Sequence, residues 1–149
     1  MSNAKSSFIY VIFIRTTPKK LWAALTRPEF IKQYWFGMNI ETDWKEGSKW
    51  KLVHGDGHTL DAGKVVEFDP PRRMVLTWKH EHWAEMADEP PARCAIELEP
   101  KDGAVKLTIT HTMNRPNSKL IKAVSGGWPS IMSNLKSLLE TGKIAMKDW

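Results

Sequence analysis

Apolar residues recur at three- and four-residue intervals most clearly near the C-terminal end of the chain. Between Asn117 and Thr141, the residues Trp128, Ile131, Met132, Leu135, Leu138 and Leu139 fall on one stripe of a helix of roughly seven turns. From Met38 to Met113 the spacing changes to two, the period of a strand with one face buried. Trp50, Leu52 and His54 share a face, as do Met74, Leu76, Trp78 and His80. Cys94, Ile96 and Leu98 form a third such set, and Val105, Leu107, Ile109 and His111 a fourth. One apolar stripe on a long helix must be covered, and a curved antiparallel sheet is the partner this pattern supplies. The expectation is an α+β fold in which six to seven strands wrap the C-terminal helix, with a cavity between the two.

The N-terminal part supplies a strand and two short helices. Phe8 to Arg15 is a continuous β-branched and aromatic run, stopped by Thr16-Thr17-Pro18. Thr17 is placed to cap a helix that has Pro18 at its first position and Leu21, Trp22 and Leu25 on its buried side. A second short helix carrying Phe30, Ile31 and Tyr34 starts either from a Thr26-x-x-Glu29 capping box or with Pro28 at its first position. It ends through Trp35 and Phe36 at Gly37. Further on, Gly47 suits a hairpin loop between strands at Met38–Asp43 and Lys49–His54, and Gly63 is read as a bulge in a strand from Thr59 to Phe68. Asp69-Pro70-Pro71-Arg72 is a turn, and Glu81 to Pro91 reads as a charged loop.

Composition narrows the class. The chain has 149 residues, enough for one domain with one core, and neither a repeat nor a linker interrupts it. Residues 1–6 are expected to lie outside that fold, with Ser2-Asn3-Ala4 either native or a cloning remnant. The formal charge of +5 comes from basic residues scattered along the chain, which argues for solubility and against nucleic acid as a partner. Cys94 is the only cysteine, so no internal disulfide forms; no apolar run approaches the roughly 20 residues needed to cross a bilayer, and no signal peptide is visible. The expected setting is cytoplasmic, without membrane association.

Five motifs occur in a meaningful order: Pro18-Lys19-Lys20-Leu21-Trp22-Ala23-Ala24-Leu25-Thr26-Arg27-Pro28-Glu29, Asp69-Pro70-Pro71-Arg72, Thr77-Trp78, Leu107-Thr108-Ile109-Thr110-His111 and Gly127-Trp128. Together they resemble the heat-shock-protein ATPase activator homologue family of the START-like helix-grip superfamily, from about Tyr10 to Gly142. The resemblance implies the helix-grip fold and an apolar ligand in its cavity, or, as in eukaryotic relatives, contact with the heat-shock chaperone. The chaperone role belongs to relatives with an additional N-terminal domain, which ranks it lower here. The chain departs from the family pattern twice. Arg27 replaces the usual Asp of the turn, and Pro129 removes the helix hydrogen bond to Ser125, which should kink or reset the long helix.

Candidate chemistry is sparse. His111 occupies the family's strand-borne histidine position, where a hydrogen-bonded structural histidine is the ordinary reading and a functional one the sharper. His80 and His82 share strand spacing, with Glu85 or Asp88 available, but the loop context argues against zinc. Ser125, Ser130 and Ser133 have no Gly-x-Ser-x-Gly surroundings, and Cys94 has no basic neighbour on its face, so nucleophilic catalysis finds no support. The glycines of Gly55-Asp56-Gly57 and Gly126-Gly127 lack phosphate-loop spacing. No catalytic residue, metal or cofactor is assigned.

The eight tryptophans are the unusual feature, since inward-facing indoles can either fill a core or line a pocket. Trp22, Trp50, Trp78 and Trp128 fall on inward faces, with His54, His80 and His111 as polar partners for their N–H groups. The residues expected to border the cavity are Trp35, Trp50, Leu52, His54, Leu76, Trp78 and His80 from the first part of the chain. Ile96, Ile109, His111, Trp128, Met132 and Leu135 complete the set. The reading is non-catalytic binding of a small hydrophobic molecule, by a monomer or homodimer. A cyclase- or hydrolase-like enzyme using His111 and a chaperone-interaction module are the alternatives.

Overall fold

A computed structural model of the chain describes residues 5–148. The elements run β1 (Ser6–Ile14), α1 (Pro18–Thr26), α2 (Pro28–Tyr34), β2 (Asn39–Thr42), β3 (Lys49–Val53), β4 (Thr59–Asp69), β5 (Arg73–His80), α3 (Ala84–Ala87), β6 (Ala92–Lys101), β7 (Ala104–Met113) and α4 (Lys119–Thr141). All seven strands join one antiparallel sheet in the order β1-β7-β6-β5-β4-β3-β2. The helix-grip expectation holds. Ile131, Met132 and Leu135 of α4 are buried, in the same core as Ile96, Leu107 and Ile109 of the sheet. The part of the N-terminus read as lying outside the fold needs adjusting, because Ser6 begins β1; Ser2-Asn3-Ala4 lie outside the described residues.

The period-of-two faces are buried as their sequence predicts. Met74, Leu76, Trp78 and His80 of β5 point inward, as do Val105, Leu107, Ile109 and His111 of β7. Register places Ile96 opposite Ile109 and Cys94 opposite His111. Thr17 caps α1 by accepting a hydrogen bond from the Lys20 amide, with Pro18 next in line. In α2 Pro28 holds the first position, and the capping box does not form: Arg27 is the N-cap and supplies no side-chain bond, while Thr26 Oγ1 donates to the Trp22 carbonyl.

Three local expectations change. Glu81 to Pro91 contains the short helix α3, which buries Met86. The irregularity between β4 and β5 falls between Val65 and Glu67, not at Gly63. Gly63 is instead a close-approach position, since a Cβ there would lie 1.9 Å from the Thr77 carbonyl oxygen, the atom that accepts the Trp50 indole N–H at 2.9 Å. Pro129 does not reset α4, which continues through it as one helix from Lys119 to Thr141 and ends at Gly142 in the left-handed conformation.

Two long-range anchors hold α4. At its start the buried Glu89 carboxylate accepts hydrogen bonds from Ser118 Oγ (2.6 Å) and from the amides of Lys119 (2.9 Å) and Leu120 (3.2 Å). Ser118 Oγ in turn accepts from the Ile121 amide, so the donors left over at the first turn are satisfied. Further along, the fully buried Asn134 accepts from the amides of Ala145 and Met146 and donates to the Met146 carbonyl, fastening the C-terminal tail to the helix.

Candidate functional site

A cavity of about 640 Å³ opens between the N-terminal half of α4 and the β3, β4 and β5 end of the sheet. Its floor is aromatic. Trp78 of β5 lies 5.7 Å from Trp128 of α4 and 6.4 Å from Trp35, which follows α2, while Trp35 and Trp128 meet edge to face at 5.4 Å. Trp50 packs behind Trp78 at 4.6 Å. Offset and edge-on contacts of this kind add attraction beyond the area they bury and fix the rings in place. Met38, Leu52, Leu60, Met86, Leu120, Val124 and Ile131 supply aliphatic wall around this floor.

The middle of α4 helps to make the space. Gly126 and Gly127 line the cavity in the interior of a helix, where each costs about 1 kcal/mol relative to alanine. Pro129 follows, so the helix is intrinsically weakest where it faces the opening. Side chains at those two positions would otherwise compete for the volume.

The expected cavity residues divide into three groups. Trp35, Leu52, His54, Trp78, His80 and Trp128 line the cavity. Leu76, Ile96 and Met132 border a separate void of about 20 Å³ deeper in the core, together with Trp35, Trp78 and Trp128. Trp50, Ile109, His111 and Leu135 are packed in the core on neither wall. The stripe on α4 continues backwards through Leu120, Val124 and Gly127, and that half, not the half at Met132 and Leu135, faces the opening. The spacing from Leu120 to Trp128 carries this signal, but alanine and glycine within it mask the apolar count.

His111 is packed in the core beside Trp128, and its Nε2 is buried without a partner among the described residues. Its Nδ1 accepts the Trp128 indole N–H at 3.2 Å, which puts the imidazole proton on Nε2, and complete burial pushes its pKa down to about 4. Of the other indoles, Trp44 donates to the Thr26 carbonyl, and the Trp78 N–H is buried without a hydrogen-bond partner among the described residues. Burial pushes the Cys94 thiol up, which keeps it protonated and unreactive.

The polar element of the wall is a pair that the alternation pattern did not reveal. Antiparallel register sets Asp61 of β4 opposite His80 of β5, and their Oδ1 and Nδ1 atoms lie 2.8 Å apart with both residues buried. Asp61 can only accept, so the proton of a neutral His80 sits on Nδ1 and leaves Nε2 as an acceptor. His80 Nε2 is buried without a partner among the described residues, and the centroids of the His80 and Trp83 rings lie 5.4 Å apart. A buried polar atom left unmatched disfavours the unliganded state by about 1–3 kcal/mol and marks a place for a ligand donor. Toward the mouth, His54, His58 and His82 add three more imidazoles to the lining.

The family described as Activator of Hsp90 ATPase homolog 1-like protein matches residues 15–140 of the chain. Curated protein sequences contain no match. Among solved structures, protein MLL2253 from Mesorhizobium loti is 20% identical with a TM-score of 0.79, over 93% of this chain and 100% of that one. The Aha1 dimer from Colwellia psychrerythraea is 20% identical with a TM-score of 0.75, over 93% and 98% of the two chains. PFC0360w, an HSP90 activator from Plasmodium falciparum, is 23% identical with a TM-score of 0.72, over 89% and 95%. At these identities the likeness is one of fold.

Proposed function

The chain belongs to the Activator of Hsp90 ATPase homolog 1-like family, and from that premise we propose that it binds a small, flat, hydrophobic molecule carrying one hydroxyl group in the cavity beneath α4. The observation that carries this reading is the cavity itself. Its volume of about 640 Å³ falls within the roughly 300–1,000 Å³ of small-molecule sites, and four tryptophans and a ring of aliphatic side chains form its walls. The hydroxyl requirement comes from His80 Nε2, a buried acceptor without a partner among the described residues, on a residue that lines the cavity. Binding needs no further machinery. A cyclase- or hydrolase-like activity would rest on the Asp61–His80 pair acting as a general base, not on His111.

Titration with a fluorescent naphthol tests the reading. One-to-one binding to the wild type, lost when Val124→Trp fills the cavity and weakened by His80→Phe, supports it. An affinity unaffected by Val124→Trp would place the probe elsewhere and remove the proposal.

A second reading, contact with a chaperone or with a second copy of this chain, is favoured by the outer face of β1. Ile9, Val11 and Phe13 are exposed there on an edge strand, Ile9 by 62%. Substituting all three with Lys would abolish such an interaction and leave probe binding intact. Among the described residues no helix is long and apolar enough to cross a membrane.

A further inference from the structure

The loop joining β3 to β4 reads His54-Gly55-Asp56-Gly57-His58, and two backbone bonds close it: the His54 amide donates to the His58 carbonyl, and the Gly57 amide to that of His54. Gly57 sits at φ +96°, a conformation that favours glycine. The closed loop brings one donor atom each from His54, Asp56 and His58 within 4.8 Å of one another. His54 Nδ1 lies 3.5 Å from Asp56 Oδ1, and His58 Nδ1 is hydrogen-bonded to the same oxygen. The His80, His82, Glu85 and Asp88 set considered from sequence does not converge in this way among the described residues, and His80 Nδ1 is already engaged by Asp61.

A further imidazole stands beside these three donors, from a different part of the chain, without joining their 4.8 Å cluster. The His82 ring, beyond the end of β5, lies 5.2 Å from the His58 ring, and the His54 and His58 rings are 5.0 Å apart. Two imidazoles on one tetrahedral ion, with metal–nitrogen bonds of about 2.0–2.1 Å, have ring centres about 5 Å apart. Four of the chain's five histidines surround this end of the cavity.

We propose that His54, Asp56, His58 and His82 form a site for a zinc-class divalent transition metal at the cavity mouth. Three imidazoles and one carboxylate are a borderline donor set that selects zinc, cobalt, nickel or copper over magnesium and calcium, which prefer oxygen alone. The ion would tie the β3–β4 loop to the segment after β5 across the opening. His54, His58 and His82 also line the cavity mouth, but metal binding needs no ligand in the cavity, and none of the four residues belongs to the aromatic floor.

Cobalt(II) titration of the tag-free protein tests it, because d–d absorption reports coordination directly. The expected result is one cobalt per chain with the intense visible bands of a four-coordinate site, displaced by zinc and not by magnesium. His58→Ala and Asp56→Ala should each weaken binding by at least about tenfold, and His54→Ala with His58→Ala should abolish it. These side chains are substantially exposed, so circular dichroism in chelator should show all variants folded. Absence of stoichiometric cobalt or zinc binding would overturn the proposal, as would an affinity that survives the double substitution.

Discussion

The Glu89 carboxylate lies under the first turn of α4, with Oε1 2.6 Å from Ser118 Oγ. Twenty-nine residues separate them in sequence, so this contact fastens the segment carrying α3 to the helix that roofs the cavity. Burial alone would raise the Glu89 pKa. The bonds from Ser118, Lys119 and Leu120 and the nearby Arg115 guanidinium outweigh it and hold the carboxyl below the usual range. A negative charge at a helix N-terminus is stabilised further by the aligned peptide dipoles.

Glu89→Gln should therefore cost about 2 kcal/mol at pH 7, from the weakened bonds and the lost charge–dipole term. The folded-state pKa is depressed, so the contribution is present above the unfolded value of about 4.3 and is lost as pH falls through the lower folded value. Urea unfolding of both proteins between pH 7 and pH 3 should show the difference shrinking at the acid end. A constant difference would mean the carboxylate's charge contributes nothing.

His111 acts in a separate window. Its pKa is about 4 when folded and about 6.5 when unfolded, so the unfolded chain binds the extra proton between those values. Stability should rise with pH across that interval and level off above it, by a total of about 3 kcal/mol. His111→Gln should remove that slope between pH 4 and 6.5. Trp128→Phe should cost about 1–3 kcal/mol by leaving His111 Nδ1 unpartnered, with the slope retained.

Arg27 is an N-cap without a capping bond. Arg27→Asp should restore an acceptor for the first-turn amides of α2 and an acid at its positive end. The expected gain is about 0.5–2 kcal/mol, read as a higher urea midpoint with unchanged slope. No gain would mean that the Arg27 side chain contributes by another contact.

Gly126 offers a stabilising change at the cavity itself. A Cβ there meets nothing within 4 Å, so Gly126→Ala should stabilise the protein by about 0.5–1 kcal/mol through helix propensity alone. A loss of stability would show that the helix interior needs the glycine for its own geometry.

Much of the architecture was legible because it is written in local periodicity. The alternation in β5 and β7, the Thr17-Pro18 start of α1 and the stripe at Ile131, Met132 and Leu135 each depend on residues a few positions apart. The cavity depends on pairs that no local pattern links. Asp61 meets His80 only through strand register, and that register shifts at Val65–Glu67, beside the stretch where the alternation of β4 is ambiguous. Glu89 reads as one charge among several in a loop until Ser118 is folded above it. On α4 the stripe points to Trp128, Met132 and Leu135, and of these only Trp128 lines the cavity, because the turns before it contribute space through Ala123, Gly126 and Gly127 and not apolar side chains. Alternation along β3 directs His54 inward, but the turn at Gly55 leaves its ring half-exposed at the mouth.

Ligand binding beneath α4 is tested most directly by methyl NMR of the isoleucine-, leucine- and valine-labelled protein during titration with a naphthol. Saturable shifts of Leu52, Leu60, Val124 and Ile131, with Ile9 and Val11 unmoved, are the predicted result, since the first four line the cavity and the last two sit on the outer face of β1. Saturation with no change at the cavity methyls, or shifts confined to Ile9 and Val11, would contradict it.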